Sequence, residues 1–280
     1  MTKVFRQYIA VGGMPQAVQS FLDNRRALGA AREVDRAVVE QYRYDISTYA
    51  PSARRPVIQT IFDNVPLELA KENKRFVMRS VRRGATYERL VDDFAWLTKV
   101  ALALPAHLVS EPRYPLERTR VVEKFKLYSS DTGVLLCQYP VSSAMRICEG
   151  KGDASFGAVY ENVVAQELLA AGFPLRYYHH NRKGEVDFLV EDADGSVLPI
   201  EAKAGKGYKL HTALNTLLGT AEYGIGRAYV RSERNVSKGE RMGKPVHYLP
   251  LYMTMCIGAE RGEQTLADTT LEVVGFEDLL

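Results

Sequence analysis

The sequence predicts a mixed α+β protein, helices first and strands after, from three observations. Apolar residues recur at three and four spacing over residues 16–24 and 32–49, the period of helices that bury one face. Pro51, Pro56 and Pro66 then cut the chain into short segments. Beyond Ala103, runs rich in Val, Leu, Phe and Tyr appear between turn residues, which is the mark of strands.

Taken in order, residues 57–64 and 67–73 read as two short helices on either side of Pro66. Residues 87–99 read as a third, with Leu90, Val91, Phe94 and Leu97 on its apolar side. Residues 103–110 and 121–128 supply paired strands. Three helices and a hairpin are the parts of a winged-helix unit, and Arg79, Arg82, Arg83 and Arg89 fall near its third helix. Such a helix can enter a DNA major groove, while the same fold elsewhere serves as a protein-docking platform. Residues 156–171, rich in Ala, Val and Leu, read as a further helix, and 248–252 as a closing strand.

The most informative stretch runs from Gly184 to Lys203. Gly184-Glu185-Val186-Asp187-Phe188-Leu189-Val190 reads as a strand, Asp192-Ala193-Asp194-Gly195 as a tight turn, and Leu198-Pro199-Ile200-Glu201-Ala202-Lys203 as the returning strand. Strand side chains alternate with a period of two, so Glu201 and Lys203 share one face and Ile200 and Ala202 the other. Opposed Cβ atoms in an antiparallel pair lie roughly 4.5–5.5 Å apart. That lets Asp187 and Glu201 share one hard divalent cation through oxygens at about 2.0–2.1 Å. Without a cation the two anions repel.

A third carboxylate, Glu161, lies on the helix over 156–171 with Gly157, Ala158, Val164, Ala165 and Leu168 as its neighbours at helical spacing. It flanks the apolar stripe, where an unpaired carboxylate is costly, so it should be protonated, hydrogen-bonded or facing a metal. Each residue alone has an ordinary explanation. Glu201 and Lys203 make a same-face surface pair worth roughly 0–1 kcal/mol, Asp187 can face water, and the Glu161 stem can reach solvent.

In combination, helix Glu161, strand Asp187 and strand Glu201-Ala202-Lys203 resemble the signature of the restriction-endonuclease-like, or PD-(D/E)xK, nuclease superfamily, with Val186 where the motif has Pro. Gly157-Ala158-Val159-Tyr160-Glu161-Asn162, Gly184-Glu185-Val186-Asp187-Phe188 and Pro199-Ile200-Glu201-Ala202-Lys203-Ala204 further resemble a C-terminal domain of unknown function that follows an AAA+-type ATPase domain in many bacterial and archaeal proteins. Gly12-Gly13-Met14-Pro15-Gln16-Ala17-Val18, and Phe125-Lys126-Leu127-Tyr128 with Asp131-Thr132-Gly133, fit the same family, so the resemblance covers nearly the whole chain.

The resemblance implies a helical remnant of an ATPase lid over 1–50, a winged-helix-like domain over 51–120 and a restriction-endonuclease-like α/β domain with a mixed central sheet over 121–280. It implies Mg²⁺ or Mn²⁺ held by Asp187, Glu201 and the Ala202 carbonyl. Lys203 would orient the attacking water or stabilise charge on the phosphorane, and Glu161 would bind a second ion or steer the first through water. A complete member carries a Gly-x-x-x-x-Gly-Lys-Ser/Thr phosphate loop. Gly205-Lys206-Gly207 and Gly243-Lys244 lack its earlier glycine and its Ser or Thr. The chain therefore reads as the portion that begins in the lid of a lost ATPase domain, and ATP binding by that route is not expected.

With 280 residues, 46% hydrophobic, the chain can bury a core and falls in the range of two compact domains. Cys137, Cys148 and Cys256 form no Cys-x-x-Cys pair and no even set, which favours a reducing cytoplasm with buried free thiols and argues against zinc. The most apolar stretch, 100–109, is short and broken by Pro105 and His107, so neither export nor membrane spanning is expected. The net charge of +3 is too small to announce nucleic-acid binding. From Lys203 to Lys244, however, Lys203, Lys206, Lys209, Arg227, Arg231, Arg234, Lys238, Arg241 and Lys244 face only Glu222, Glu233 and Glu240, and such a basic wall can track a phosphate backbone. His179 and His180 are adjacent on a strand, point opposite ways and are not expected to ligate one ion.

Two functions of different class follow. One is a Mg²⁺-dependent nuclease, or a domain descended from one, that binds DNA. The other is a catalytically inactive DNA- or protein-binding regulatory module. A separate ATPase or other protein is a candidate partner in either.

Overall fold

The computed structural model describes residues 1–151, 156–192, 194–203 and 212–257. Five helices come first: α1 (Thr2–Val11), α2 (Pro15–Asp23), α3 (Leu28–Tyr49), α4 (Arg55–Leu69) and α5 (Tyr87–Lys99). Strands β1 (Ala103–Val109) and β2 (Arg120–Ser129) follow, then α6 (Thr132–Cys137), α7 (Val141–Cys148) and α8 (Gly157–Ala170). The remainder is β3 (Arg176–His180), β4 (Gly184–Glu191), β5 (Val197–Lys203), α9 (Thr212–Gly219), β6 (Ala228–Ser232), β7 (Ser237–Arg241) and β8 (Lys244–Pro250). The mixed α+β class is therefore the fold the chain adopts.

All eight of these strands form one mixed sheet in the order β2-β1-β3-β4-β5-β6-β8-β7. The β1–β3, β5–β6 and β6–β8 pairs are parallel and the others antiparallel. The hairpin expected as a wing does form, but β1 continues into the sheet through β3. A boundary at 120/121 thus runs through β2, and β1 and β2 share one sheet with the later strands.

Alternate strand positions separate into two cores. Phe188, Leu198 and Ile200 pack with α8 residues Val163, Val164 and Leu168 and with the N-terminal helices, whereas Leu189, Val197 and Val230 pack with Leu214, Leu217 and Leu218 of α9. Helix α8 is buried nearly all round, so its polar residues need partners inside the protein. Asn162 finds one by donating to the Ser129 carbonyl and accepting from the Ser129 N–H, at 3.0 and 2.8 Å.

Three local expectations change. The two helices expected around Pro66 are one, α4, because Ile58, Ile61, Phe62, Val65 and Leu69 bury a continuous side that outweighs the backbone bond Pro66 cannot donate. The closing strand ends at Pro250, and Leu251–Cys256 turns into a 3-10 helix once proline removes the next ladder donor. Of the thiols only Cys137 is buried; Cys256 is exposed on that last turn, where Leu251 and Thr254 face inward.

Gly12-Gly13 and Asp131-Thr132-Gly133 meet in space. Asp131 caps α6 by accepting from the Val134 N–H at 3.0 Å, and its other oxygen accepts from the Gly13 N–H at 2.7 Å. Gly12 adopts φ +79°, and a Cβ there would strike the Asp131 carboxylate.

Candidate functional site

The β4–β5 ladder runs from Glu191 opposite Val197 to Phe188 opposite Ile200. One step further along that register, Asp187 stands across from Glu201. There the ladder changes character: Asp187 Oδ2, and not a backbone carbonyl, accepts the Ala202 N–H at 2.9 Å.

On the other side of β4 the register with β3 shifts between Arg176 and Tyr178, so Asp187 and Phe188 together oppose Tyr177. This bulge re-aims Asp187 from where strict alternation would send it. It turns the carboxylate toward Lys126, whose Nζ lies 3.9 Å from Asp187 Oδ1. Lys203 Nζ lies 3.1 Å from Glu201 Oε2, placing acid and base side by side as their spacing requires.

Glu161 is reached by three donors. Lys74 Nζ contacts Oε1 at 2.7 Å, while Lys126 Nζ and the Tyr128 hydroxyl contact Oε2 at 3.0 and 2.9 Å. Of the three states open to a carboxylate on that flank, it takes the hydrogen-bonded one. Burial pushes its carboxyl up, but Lys126 and Lys74 outweigh burial and hold it at about 2.

Lys126 on β2 is fully buried among carboxylates. Its Nζ also lies 2.6 Å from Glu185 Oε1 and 5.2 Å from the Tyr177 ring centroid. Burial alone would lower its pKa; Glu161, with Glu185 and Asp187, instead raises it well above the ordinary lysine value. Asp187 goes the other way. Burial, with Glu161 and Glu201 adding, pushes its carboxyl up to about 7 against the opposing pull of Lys126 and Lys203. Burial opposes the Lys203 charge as well, yet Glu201 and Asp187 raise its pKa.

Lys126, Lys74 and Glu185 were not among the residues singled out from the sequence. The available signal was Lys126 within Phe125-Lys126-Leu127-Tyr128, a cation flanked by apolar residues. Lys74 and Glu185 carry no comparable signal.

Among the described residues no three His, Cys, Asp or Glu side chains converge to hold a metal ion. Two carboxylates and a carbonyl are the set available, and Asp187, Glu201 and Ala202 supply it. Burial, with Glu161 and Glu201 adding, raises the Asp187 carboxyl to about 7; a divalent cation would offset the part those two anions contribute, and a donor set of hard oxygens fits one. Both Glu161 oxygens already accept hydrogen bonds, Oε1 from Lys74 and Oε2 from Lys126 and Tyr128.

The basic segment is dispersed. Arg231 is buried, Arg227 pairs with Asp192, and Lys238, Arg241 and Lys244 lie on β7 and β8, beyond β6 from the β5 acids. Lys206 and Lys209 lie outside the described residues. His179 Nδ1 sits 3.3 Å from Glu185 Oε2, whereas His180 Nδ1 accepts from the Arg182 N–H, so the two rings serve separate partners. Among the described residues no helix is long and apolar enough to cross a membrane.

Residues 156–252, which carry Glu161, Glu185, Asp187, Glu201 and Lys203, match a domain of unknown function (DUF4143). No curated protein and no solved structure matches the chain. The match of residues 2–144, just over half its length, makes the chain a member of the family described as a domain of unknown function (DUF8612).

Proposed function

We propose that this chain is a nuclease-type protein, related to AAA+-type ATPases but without their phosphate loop, that acts in the cytoplasm. In this reading it binds DNA and hydrolyses a phosphodiester with Mg²⁺ or Mn²⁺. The observation that carries it is that Asp187 and Glu201 each lie one residue past the Phe188–Ile200 end of the β4–β5 ladder, where Asp187 Oδ2 accepts the Ala202 N–H and Lys203 Nζ lies 3.1 Å from Glu201.

Asp187, Glu201 and the Ala202 carbonyl would hold the ion, which supplies Lewis acidity and a water of lowered pKa. The Ala202 N–H fixes the Asp187 carboxylate, so the ligand is oriented before anything binds. Lys203, kept protonated by Glu201 and Asp187, would donate to a phosphate oxygen or to the attacking water. Glu161 acts at one remove by holding Lys126 in place.

The test is cleavage of plasmid and of single-stranded DNA with Mg²⁺ or Mn²⁺. Asp187→Ala and Lys203→Ala should each abolish it, and cleavage that survives either change removes this site from the reaction.

A second reading, a catalytically inactive module that binds DNA or a protein such as a separate ATPase, is favoured by one observation. Lys126, Lys74 and Lys203 already neutralise most of the charge on Glu161, Glu185, Asp187 and Glu201. A salt-sensitive DNA complex with no divalent-cation binding in calorimetry would favour it.

A further inference from the structure

We propose that the site takes a single divalent cation, and that the Lys126 ammonium permanently fills the place a second would occupy. The inference rests on the reading of Asp187 and Glu201 as metal ligands and says how many ions that site accepts.

Three carboxylates from two elements point at one nitrogen. Lys126 Nζ lies 3.0 Å from Glu161 Oε2, 2.6 Å from Glu185 Oε1 and 3.9 Å from Asp187 Oδ1. An ion ligated by Glu161, Glu185 and Asp187 would have to occupy the same space as that ammonium.

The lysine cannot easily leave. Its backbone is paired on both sides, with Ala106 of β1 and with Arg75 in an isolated bridge. None of its side chain is exposed, and the Tyr177 ring lies against the ammonium. Glu161 is held from other sides as well, because Lys74 and Tyr128 also donate to it. Displacing Lys126 would strand an unpaired ammonium in the interior and leave Glu161 short of a donor it needs there.

Asp187 is differently placed. Its contact to Lys126 is past hydrogen-bond length, so it can serve an ion shared with Glu201 without breaking the lysine cluster. A fixed charge on β2 thus takes over the electrostatic task of a mobile ion, with no dependence on its concentration.

The test counts bound Mn²⁺ by calorimetry and by the electron paramagnetic resonance signal of free Mn²⁺, using the full chain. The wild type should bind one ion with no spin-coupled pair, and Lys126→Met should bind a second. Lys126→Arg, which keeps the charge, should stay at one ion and covers the case in which Lys126→Met fails to fold. Two ions or a spin-coupled pair in the wild type overturn the inference and leave the metal reading intact. So does a single ion in folded Lys126→Met, or a second ion in Lys126→Arg. No ion in the wild type overturns the metal reading itself, and this inference with it.

Discussion

Lys126 Nζ lies 3.0 Å from Glu161 Oε2, with 0% and 4% of the two side chains exposed. Removing one member of such a pair strands the other. Glu161→Ala leaves Lys126 with two of its three carboxylates and leaves Lys74 and the Tyr128 hydroxyl without their acceptor. We expect it to lower the unfolding free energy by roughly 3–5 kcal/mol, read from urea titration. A decrease below about 1 kcal/mol would mean that Glu185 and Asp187 compensate Lys126 fully.

Asp35 on α3 is fully buried, and neither carboxylate oxygen has a hydrogen-bond partner among the described residues. Burial, with Asp131 adding, pushes its carboxyl up to about 7. The unfolded chain loses that proton near pH ~4. Between the two values the folded chain keeps a proton that the unfolded chain has released, so stability falls as pH rises through the window and levels off above it. Asp35→Asn should abolish this slope and gain roughly 2–4 kcal/mol relative to wild type on going from pH ~4 to pH ~8. Unfolding curves of both proteins at the two pH values decide it; an unchanged difference excludes Asp35 as the source.

Gly133 lies inside α6, where glycine to alanine ordinarily stabilises by about 1 kcal/mol. Here the sign should reverse. A Cβ at Gly133 would run into the Val11 carbonyl and come within 2.9 Å of Asp35 Oδ2, and the backbone carbonyl cannot swing aside as a side-chain end can. Gly133→Ala should destabilise by roughly 1–3 kcal/mol, and a thermal midpoint at or above that of the wild type would show that α1 gives way.

Arg79, Arg82, Arg83 and Arg89 are all exposed around the start of α5. If this face meets DNA, replacing Arg82 and Arg83 with Ala should weaken binding across sequences and flatten the dependence of log K on log salt by about 0.9 for each phosphate no longer neutralised. Affinity and slope that both stay unchanged would exclude this face from the DNA contact.

Much of the scaffold was legible because its signals are local. The turn around Asp192 and Gly195, the period-two runs beside it and the Ala/Val/Leu helix that became α8 are each set by residues a few positions apart. The placement of Glu201 and Lys203 on one face followed from the same period, and the 3.1 Å contact agrees with it. The bulge that re-aims Asp187 was not legible, because it depends on how β3 registers against β4. Nor was the fate of Glu161, whose partners Lys74 and Lys126 lie 87 and 35 positions away. Burial of Lys126 depends on the closing of the whole sheet, and a lysine between Phe125 and Leu127 does not say what will surround it.

The sharing of one sheet by β1, β2 and the later strands bears on how this chain can evolve. Lys74 and Lys126 belong to the segment over 2–144, whereas Glu161, Glu185 and Asp187 belong to the segment over 156–252. Cations on one side of that seam balance anions on the other. Recombination that exchanged either segment for one from a distant relative would bring together interiors whose charges no longer cancel, so the two should be inherited as a pair.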